Sequence, residues 1–187
     1  IIVGGVIIDA AARNFVTLQS TYFQFIGLPA YAWGIVGACM SLSGWVVPLY
    51  VKRIANIFSP RVNFLLAGGV GFVGLLGVAL LHNFFGILPS FLVMLSLVQV
   101  GFLLSRYINQ SAPSDRRASI LSVNSLMINL GYGSVSLILG LAMNRAAQTL
   151  GETAAFGQAL EWIAIGLLVG LLIWFIVSRS FREIEDK

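Results

Sequence analysis

Charged residues are scarce in this sequence. Asp, Glu, Lys and Arg account for 10% of the chain, whereas a soluble domain carries about 25%. Hydrophobic residues account for 58%. The composition therefore excludes an ordinary soluble protein and indicates one that lies in a lipid bilayer. The formal charge of +4 does not indicate nucleic-acid binding, because the cations lie at the ends of apolar stretches, where anionic lipid headgroups are found.

Cysteine and histidine each occur once. The single cysteine, Cys39, excludes an internal disulfide and a cysteine-based metal cluster. The single histidine, His82, lies in a predicted loop, and the sequence contains no HExxH pattern. We therefore predict no metal site and no cofactor. The chain begins Ile1-Ile2-Val3, without a Met or the features of a signal peptide, and we expect it to be a piece of a longer protein.

Six apolar stretches are long enough to cross a bilayer as helices, which takes about 20 residues each. They cover residues 1–26, 31–51, 62–81, 87–107, 119–143 and 158–178. The stretches are continuous, lack period-two alternation and are twice as long as a strand of a membrane barrel, so they predict helices. The predicted fold is all-α, a single integral membrane domain of six transmembrane helices over residues 1–187.

Nine of the eleven Lys and Arg residues fall into three groups that alternate with the spans. The groups are Lys52, Arg53 and Arg61; Arg106, Arg116 and Arg117; and Arg179, Arg182 and Lys187. Because Lys and Arg of short loops stay on the cytoplasmic side during insertion, these basic loops predict a multi-pass protein with both ends in the cytoplasm. We expect a bacterial cytoplasmic membrane. Arg145 is predicted in a loop on the other side, and Arg13 lies within the first span.

Polar side chains form stripes on two of the predicted helices. In the first helix the stripe covers an arc of about 120° and consists of Asp9, Arg13, Thr17, Ser20, Thr21 and Gln24. In the fifth it consists of Ser122, Ser125, Asn129, Tyr132 and Ser136, and the fourth helix adds Ser96 and Gln99 on one side. Polar stripes are costly in lipid, so we expect them to face a protein interior or a water-filled cavity.

The third and sixth helices are almost entirely apolar. The third carries a ridge at Gly68, Gly71, Gly74 and Gly77, and the sixth has a GxxxG spacing at Gly166 and Gly170. We expect both to be peripheral and to contact lipid over most of their surface. Three helices followed by three helices with opposite starting sides is the pattern of an inverted repeat, here residues 1–83 and 84–187.

The sequence around the fourth and fifth spans resembles the major facilitator superfamily of transporters. The linker Ala112-Pro113-Ser114-Asp115-Arg116-Arg117-Ala118-Ser119, followed by Ile-Leu-Ser-Val-Asn-Ser-Leu, is similar to the Pro-x-x-x-Arg-Ala linker and Ser-rich helix of many such transporters. The turn Gly27-Leu28-Pro29, followed by Trp33-Gly34-Ile35-Val36-Gly37, resembles the family's entry into its eighth helix. The basic loop over 44–61 departs from the family pattern, because it has no acidic residue.

The resemblance implies the C-terminal six-helix half of a secondary transporter that works by alternating access. The first and fourth helices of this half would line the solute path. The implied partners are the N-terminal six-helix half of the same protein, the lipid bilayer and a small solute, with proton coupling as an option.

The candidate path residues are Asp9, Arg13, Thr17, Gln24, Gln99, Ser125 and Asn129. Asp9 and Arg13 are four residues apart, so they can form an ion pair inside the membrane. The pair is either a proton-titrating site or a structural pair that offsets its own desolvation. Single amides such as Asn129, Gln99 and Gln24 could instead join helices, while the stripe as a whole favours a solute path.

Transport of a small solute is the predicted function, and no enzyme activity is predicted. The alternative is a stand-alone six-helix scaffold or channel. An intramembrane serine protease is disfavoured, although Ser41-Leu42-Ser43-Gly44 faintly resembles a nucleophile motif. The first Gly of that motif is absent, and His82 would have to serve as the base.

Overall fold

The computed structural model describes the backbone of residues 1–185 and the side chains of residues 1–178. The side chains of the third basic group, Arg179, Arg182 and Lys187, lie outside the described residues. The described chain is helical, with no strand. Its helices are α1 (Ile2–Phe25), α2 (Ala30–Ile57), α3 (Pro60–Leu80), α4 (Ile87–Ser111), α5 (Arg117–Leu150) and α6 (Glu152–Glu185), with a 3₁₀ turn (Phe84–Gly86) before α4.

All six helices are long and apolar enough to cross a membrane, which confirms the predicted class. Several run beyond the predicted spans. Lys52 and Arg53 lie on the last turns of α2 rather than in a loop, and Arg145 lies on α5. The cause is local, since Lys, Arg, Ala and Gln favour helix and nothing stops α5 before Gly151, whose φ of 84° suits glycine.

The helices alternate in direction, so the bundle has two ends. At one, α1, α3 and α5 begin while α2, α4 and α6 end; we call it the basic end, because it carries the first two basic groups. An Arg61 guanidinium nitrogen of α3 donates there to the Ser178 carbonyl of α6, and Arg106 of α4 donates to Asn56 of α2 at 2.6 Å. At the opposite end the Phe25 ring of α1 packs against His82 and Phe156, with ring centroids 4.9 and 5.4 Å away.

The glycine ridge of α3 packs against protein, so the predicted peripheral position of this helix is wrong. Half of its most apolar stretch is buried, the same share as in α1. A methyl group added at Gly71 would meet the Ser96 side chain of α4, and one at Gly74 would lie 2.8 Å from the Val93 backbone nitrogen. The glycines therefore let α3 and α4 approach each other closely.

The helices with the least buried surface are α2 and α5. Their most apolar stretches are 17% and 6% buried, against 33% in α6. In the same helices Gly34, Gly37, Gly44, Gly133 and Gly140 have open space where a side chain would stand. Hydropathy does not distinguish these exposed helices from α3, because protein interior and lipid are similarly apolar in a membrane.

Candidate functional site

The polar stripes of α1 and α5 meet along one line, which we call the polar seam. It consists of Asp9, Arg13, Asn14 and Thr17 of α1 and Asn129, Tyr132 and Ser136 of α5. The two helices pack side by side there. The seam is the place in the described bundle where polar side chains of two helices form several hydrogen bonds to one another.

The acidic member of the seam is buried. Asp9 is 4% exposed, and its Oδ1 accepts a hydrogen bond from Arg13 Nη2 at 2.8 Å. Its other oxygen, Oδ2, is also buried and has no hydrogen-bond partner among the described residues. Burying a charge in lipid requires a partner, and here Arg13 supplies it on one side only. The predicted ion pair is therefore present, with half of the carboxylate unsatisfied.

The basic member is more accessible. The Arg13 side chain is 35% exposed, and its Nη1 donates to Asn129 Oδ1 of α5 at 3.3 Å. Its guanidinium carbon lies 5.6 Å from the centroid of the Tyr132 ring, a cation–π distance. The Tyr132 hydroxyl is in turn 3.1 Å from the Thr17 hydroxyl. Arg13 thus joins a buried anion on α1 to exposed neutral groups on α5.

Asn14 belongs to the seam although the predicted stripe omits it. Its Oδ1 accepts from Ser136 of α5 at 2.7 Å, and its Nδ2 donates to the Ala10 carbonyl at 2.8 Å. On a helical wheel Asn14 lies about 20° beyond Thr21, the edge of the predicted arc. The signal that could have identified it was therefore its angle, since a slightly wider arc includes it.

Three of the candidate path residues take no part in the hydrogen bonds of the seam. Gln24 and Ser125 are exposed, on α1 and α5, and have no hydrogen-bond partner among the described side chains. Gln99 of α4 is partly buried and lies outside the seam. Its neighbour Ser96 is fully buried and donates to the Ala67 carbonyl of α3 at 2.8 Å, so this hydroxyl joins two helices.

The basic residues of the topology prediction lie together at the basic end. Lys52 and Arg53 are exposed on α2, and Arg61 is partly buried at the start of α3. Arg116 occupies the position before α5 without a side-chain capping hydrogen bond, and the helix begins with Arg117. Arg116 also lies 3.6 Å from Asp115, but both side chains are largely exposed, so the pair contributes little.

The serine and histidine of the protease alternative have separate partners. Ser43 Oγ donates to the Met40 carbonyl at 2.5 Å, and His82 Nε2 lies 2.7 Å from the Ala79 carbonyl. Neither group is hydrogen-bonded to the other in the described structure. The described residues also contain no group of three His, Cys, Asp or Glu side chains arranged to hold a metal ion.

Comparison with protein-family models, with curated proteins and with solved structures found no match to this chain.

Proposed function

We propose that the chain is the C-terminal six-helix half of a secondary transporter of the major facilitator type, which moves a small solute by alternating access. The observation that carries the proposal is the polar seam. It begins at the ion pair of buried Asp9 with partly exposed Arg13 and continues onto exposed polar groups of α1 and α5, among them Thr17 and Asn129. Exposed polar groups at membrane depth need a water-filled cavity, and solute paths have that property.

The exposed faces of α2 and α5 support the proposal that a second six-helix half packs against this bundle. Atoms of α4 lie where a side chain would stand at Gly71 and Gly74 of α3, whereas Gly37 and Gly44 of α2 and Gly140 of α5 face open space. Small residues at helix surfaces let another helix approach closely. The N-terminal six-helix half would cover these faces and close the solute path from the other side.

The packing pattern supports two repeats, 1–83 and 84–187. The first helix of each half packs against the second helix of the other half, α1 against α5 and α4 against α2. The last helices, α3 and α6, pack against each other. Since α1 and α4 start at opposite ends of the bundle, the repeats would be inverted. With the basic end in the cytoplasm, both chain ends lie inside, and we place the protein in a bacterial cytoplasmic membrane.

Transport is tested with the intact protein in proteoliposomes, by counterflow of labelled sugars, amino acids, carboxylates and nucleosides. We expect exchange of at least one class. Asn129→Ala removes a polar group from the path and should slow exchange about five- to tenfold, the effect of one hydrogen bond. Asn109→Ala is the matched control, because Asn109 is an exposed amide at the basic end of α4. An intact protein that exchanges no solute, or that proves to have only six spans, refutes the proposal and favours the scaffold or channel.

A further inference from the structure

An apolar cleft lies between α1, α5 and α6, apart from the polar seam. Its volume is about 440 Å³, and ligand sites usually measure about 300–1,000 Å³. Its lining includes Ala10 of α1; Val135, Ile138 and Ala142 of α5; and Trp162 and Gly166 of α6. The residues that line it are aliphatic or glycine, apart from Trp162, whose indole N–H is the single polar side-chain group among them. The cleft therefore suits an apolar occupant.

Small residues create the cleft, and contacts with α1 close one end of it. Gly166 of α6 has open space where a side chain would stand. A methyl group added at Gly170, one turn nearer the basic end, would lie 2.7 Å from the Ile7 side chain. One added at Gly131 of α5 would meet Val6. The cleft is therefore closed on the side of the basic end and extends from there toward the opposite end of the bundle.

The position of the cleft matches one leaflet of a bilayer. On α6 its lining extends from Trp162 to Gly170, eight residues or about 12 Å of helix, and half of a hydrocarbon core measures about 15 Å. Gly170 lies near the middle of the predicted span 158–178, so the closed end lies near the bilayer midplane. Trp162 lies toward the other end, where tryptophans meet the lipid headgroups. An acyl chain that reaches from the headgroups to the midplane therefore has the length and the polarity to fill the cleft.

The cleft opens on a side of α5 that neither the seam nor the proposed second half uses. Around the axis of this helix, the centre of the lining is about 110° from the seam residues and about 150° from Gly140, which faces the second half in our proposal. Val135 and Ile138, which line the cleft, are 38% and 68% exposed. In a bilayer this side of the bundle contacts lipid, so a lipid molecule can enter the cleft from the side.

One cation lies just beyond the end of the cleft that is nearer the headgroups. Arg145 follows Ala142 by three residues, about 4.5 Å along α5. It is exposed, it forms no ion pair among the described residues, and it is the one Lys or Arg that they place at this end. The acids of this end, Glu152 and Glu161, line a separate cavity with His82. A guanidinium binds phosphate through two parallel hydrogen bonds, so the cleft ends next to a group that suits a phospholipid headgroup.

We propose that the apolar cleft holds one acyl chain of a phospholipid whose phosphate binds Arg145. The chain lies against Ala142 and Gly166 and ends near Gly170, while the phosphate accepts hydrogen bonds from the Arg145 guanidinium. The lipid supplies van der Waals contacts that the small residues of α1, α5 and α6 leave unmade, so it stabilises the packing of these three helices. This inference needs the chain to lie in a membrane and does not depend on transport.

The site is tested by native mass spectrometry of the purified intact protein, which counts the lipids that remain bound in excess detergent. The probe is palmitoyl-oleoyl phosphatidylglycerol. It is compared with the diacylglycerol of the same chains, which lacks the phosphate, and with palmitate, which has one chain and a carboxylate. We expect one phosphatidylglycerol to remain bound at the cleft and the diacylglycerol to bind about tenfold more weakly, because it cannot contact Arg145. Palmitate at equal concentration should not displace the phosphatidylglycerol.

Variants separate the cleft from the phosphate contact. Gly166→Leu fills the cleft and should abolish the retained lipid, whereas Gly69→Leu, at a glycine of α3 that also faces open space but lies outside the cleft, should keep it. Arg145→Gln should weaken phosphatidylglycerol binding about tenfold, the effect of losing a charged hydrogen bond, and leave diacylglycerol binding unchanged. Arg53→Gln, at an exposed cation of the basic end, should change neither. If Gly166→Leu fails to fold, Ala142→Phe fills the cleft from α5.

Three results overturn the inference: a lipid that stays bound when the cleft is filled, equal loss of lipid in Gly69→Leu, or phosphatidylglycerol binding that Arg145→Gln does not weaken. Palmitate that displaces the phospholipid at equal concentration also overturns it, because the occupant is then a fatty acid. These outcomes are distinct from failure of the proposed function. Solute exchange by a protein that retains no lipid leaves transport standing, and a retained lipid without exchange of any solute leaves this site standing.

Discussion

Replacing Arg13 should lower the free energy of unfolding more than replacing Asp9 with a neutral residue. Removing Arg13 leaves a 4% exposed carboxylate with no cation. Leaving a buried charge uncompensated by removing its partner typically costs about 3–5 kcal/mol, and this cost falls on Arg13→Gln. Removing the charge of Asp9 leaves a guanidinium that is 35% exposed and still bonded to Asn129. In the water-filled path proposed above, solvent would screen a group this exposed, so Asp9→Asn should cost about 1 kcal/mol or less.

A double-mutant cycle measures this difference. The free energy of unfolding is determined for the intact protein by denaturant titration in mixed micelles, for each single variant and for Asp9→Asn/Arg13→Gln. We expect the double variant to be more stable than Arg13→Gln alone, because it no longer buries an unpaired charge. Glu161→Gln serves as the control, because Glu161 is an exposed acid of α6, and it should change stability by less than about 0.5 kcal/mol.

The destabilisation caused by Arg13→Gln should also depend on pH. In acid the Asp9 carboxyl takes up a proton, which removes the buried charge, so the variant should approach the wild type in stability as the pH falls. Equal costs for the two single variants, strictly additive costs in the double variant, or a cost of Arg13→Gln that does not change with pH would each refute this account. Any of these would mean that Asp9 reaches water or a partner by another route.

Three further predictions concern packing. Gly74→Ala should destabilise the protein by about 1–3 kcal/mol in the unfolding titration, because the added methyl meets backbone atoms of α4. Gly69→Ala is the control on the same helix. It should be neutral or stabilising, because the space at Gly69 is open. Tyr107→Phe loses a 2.7 Å hydrogen bond from an amide of α3 and should cost about 0.6–1.5 kcal/mol, while Tyr50→Phe on exposed α2 should cost nothing. Gly44→Leu should leave this bundle folded but abolish exchange by blocking the second half, whereas Gly69→Leu should retain exchange; loss of exchange in both, or in neither, contradicts the docking of α2.

The fold class could be read from the sequence because it depends on length and polarity alone. Six continuous apolar stretches leave few alternatives to six spanning helices. The helix ends could not be read in the same way. Helix propensity continues past the apolar part, and α5 runs to Leu150 before one glycine, Gly151, turns the chain into α6. The predicted loop around Arg145 was wrong for that reason.

The sequence predicts poorly how much of each helix is buried by the other helices of the bundle. In water a ridge free of polar groups would indicate the buried face, but in a membrane lipid contact and protein contact require the same apolar surface. The sequence therefore predicts that the ridge at Gly68, Gly71 and Gly74 faces lipid, although atoms of α4 and α6 lie against it. Polar side chains do distinguish the two surfaces, because lipid excludes them. The polar stripes of α1 and α5 therefore predict sides that face protein, and the two stripes meet in the structure.

Access to water distinguishes Asp9 from Glu161. Glu161 is also an acid on an apolar helix, yet it is exposed near the opposite end of the bundle, where water can solvate it. Asp9 has no such access, so its charge must be matched from within the protein or removed by a proton. Arg13 Nη2 matches the charge of Asp9, while the Arg13 side chain remains 35% exposed.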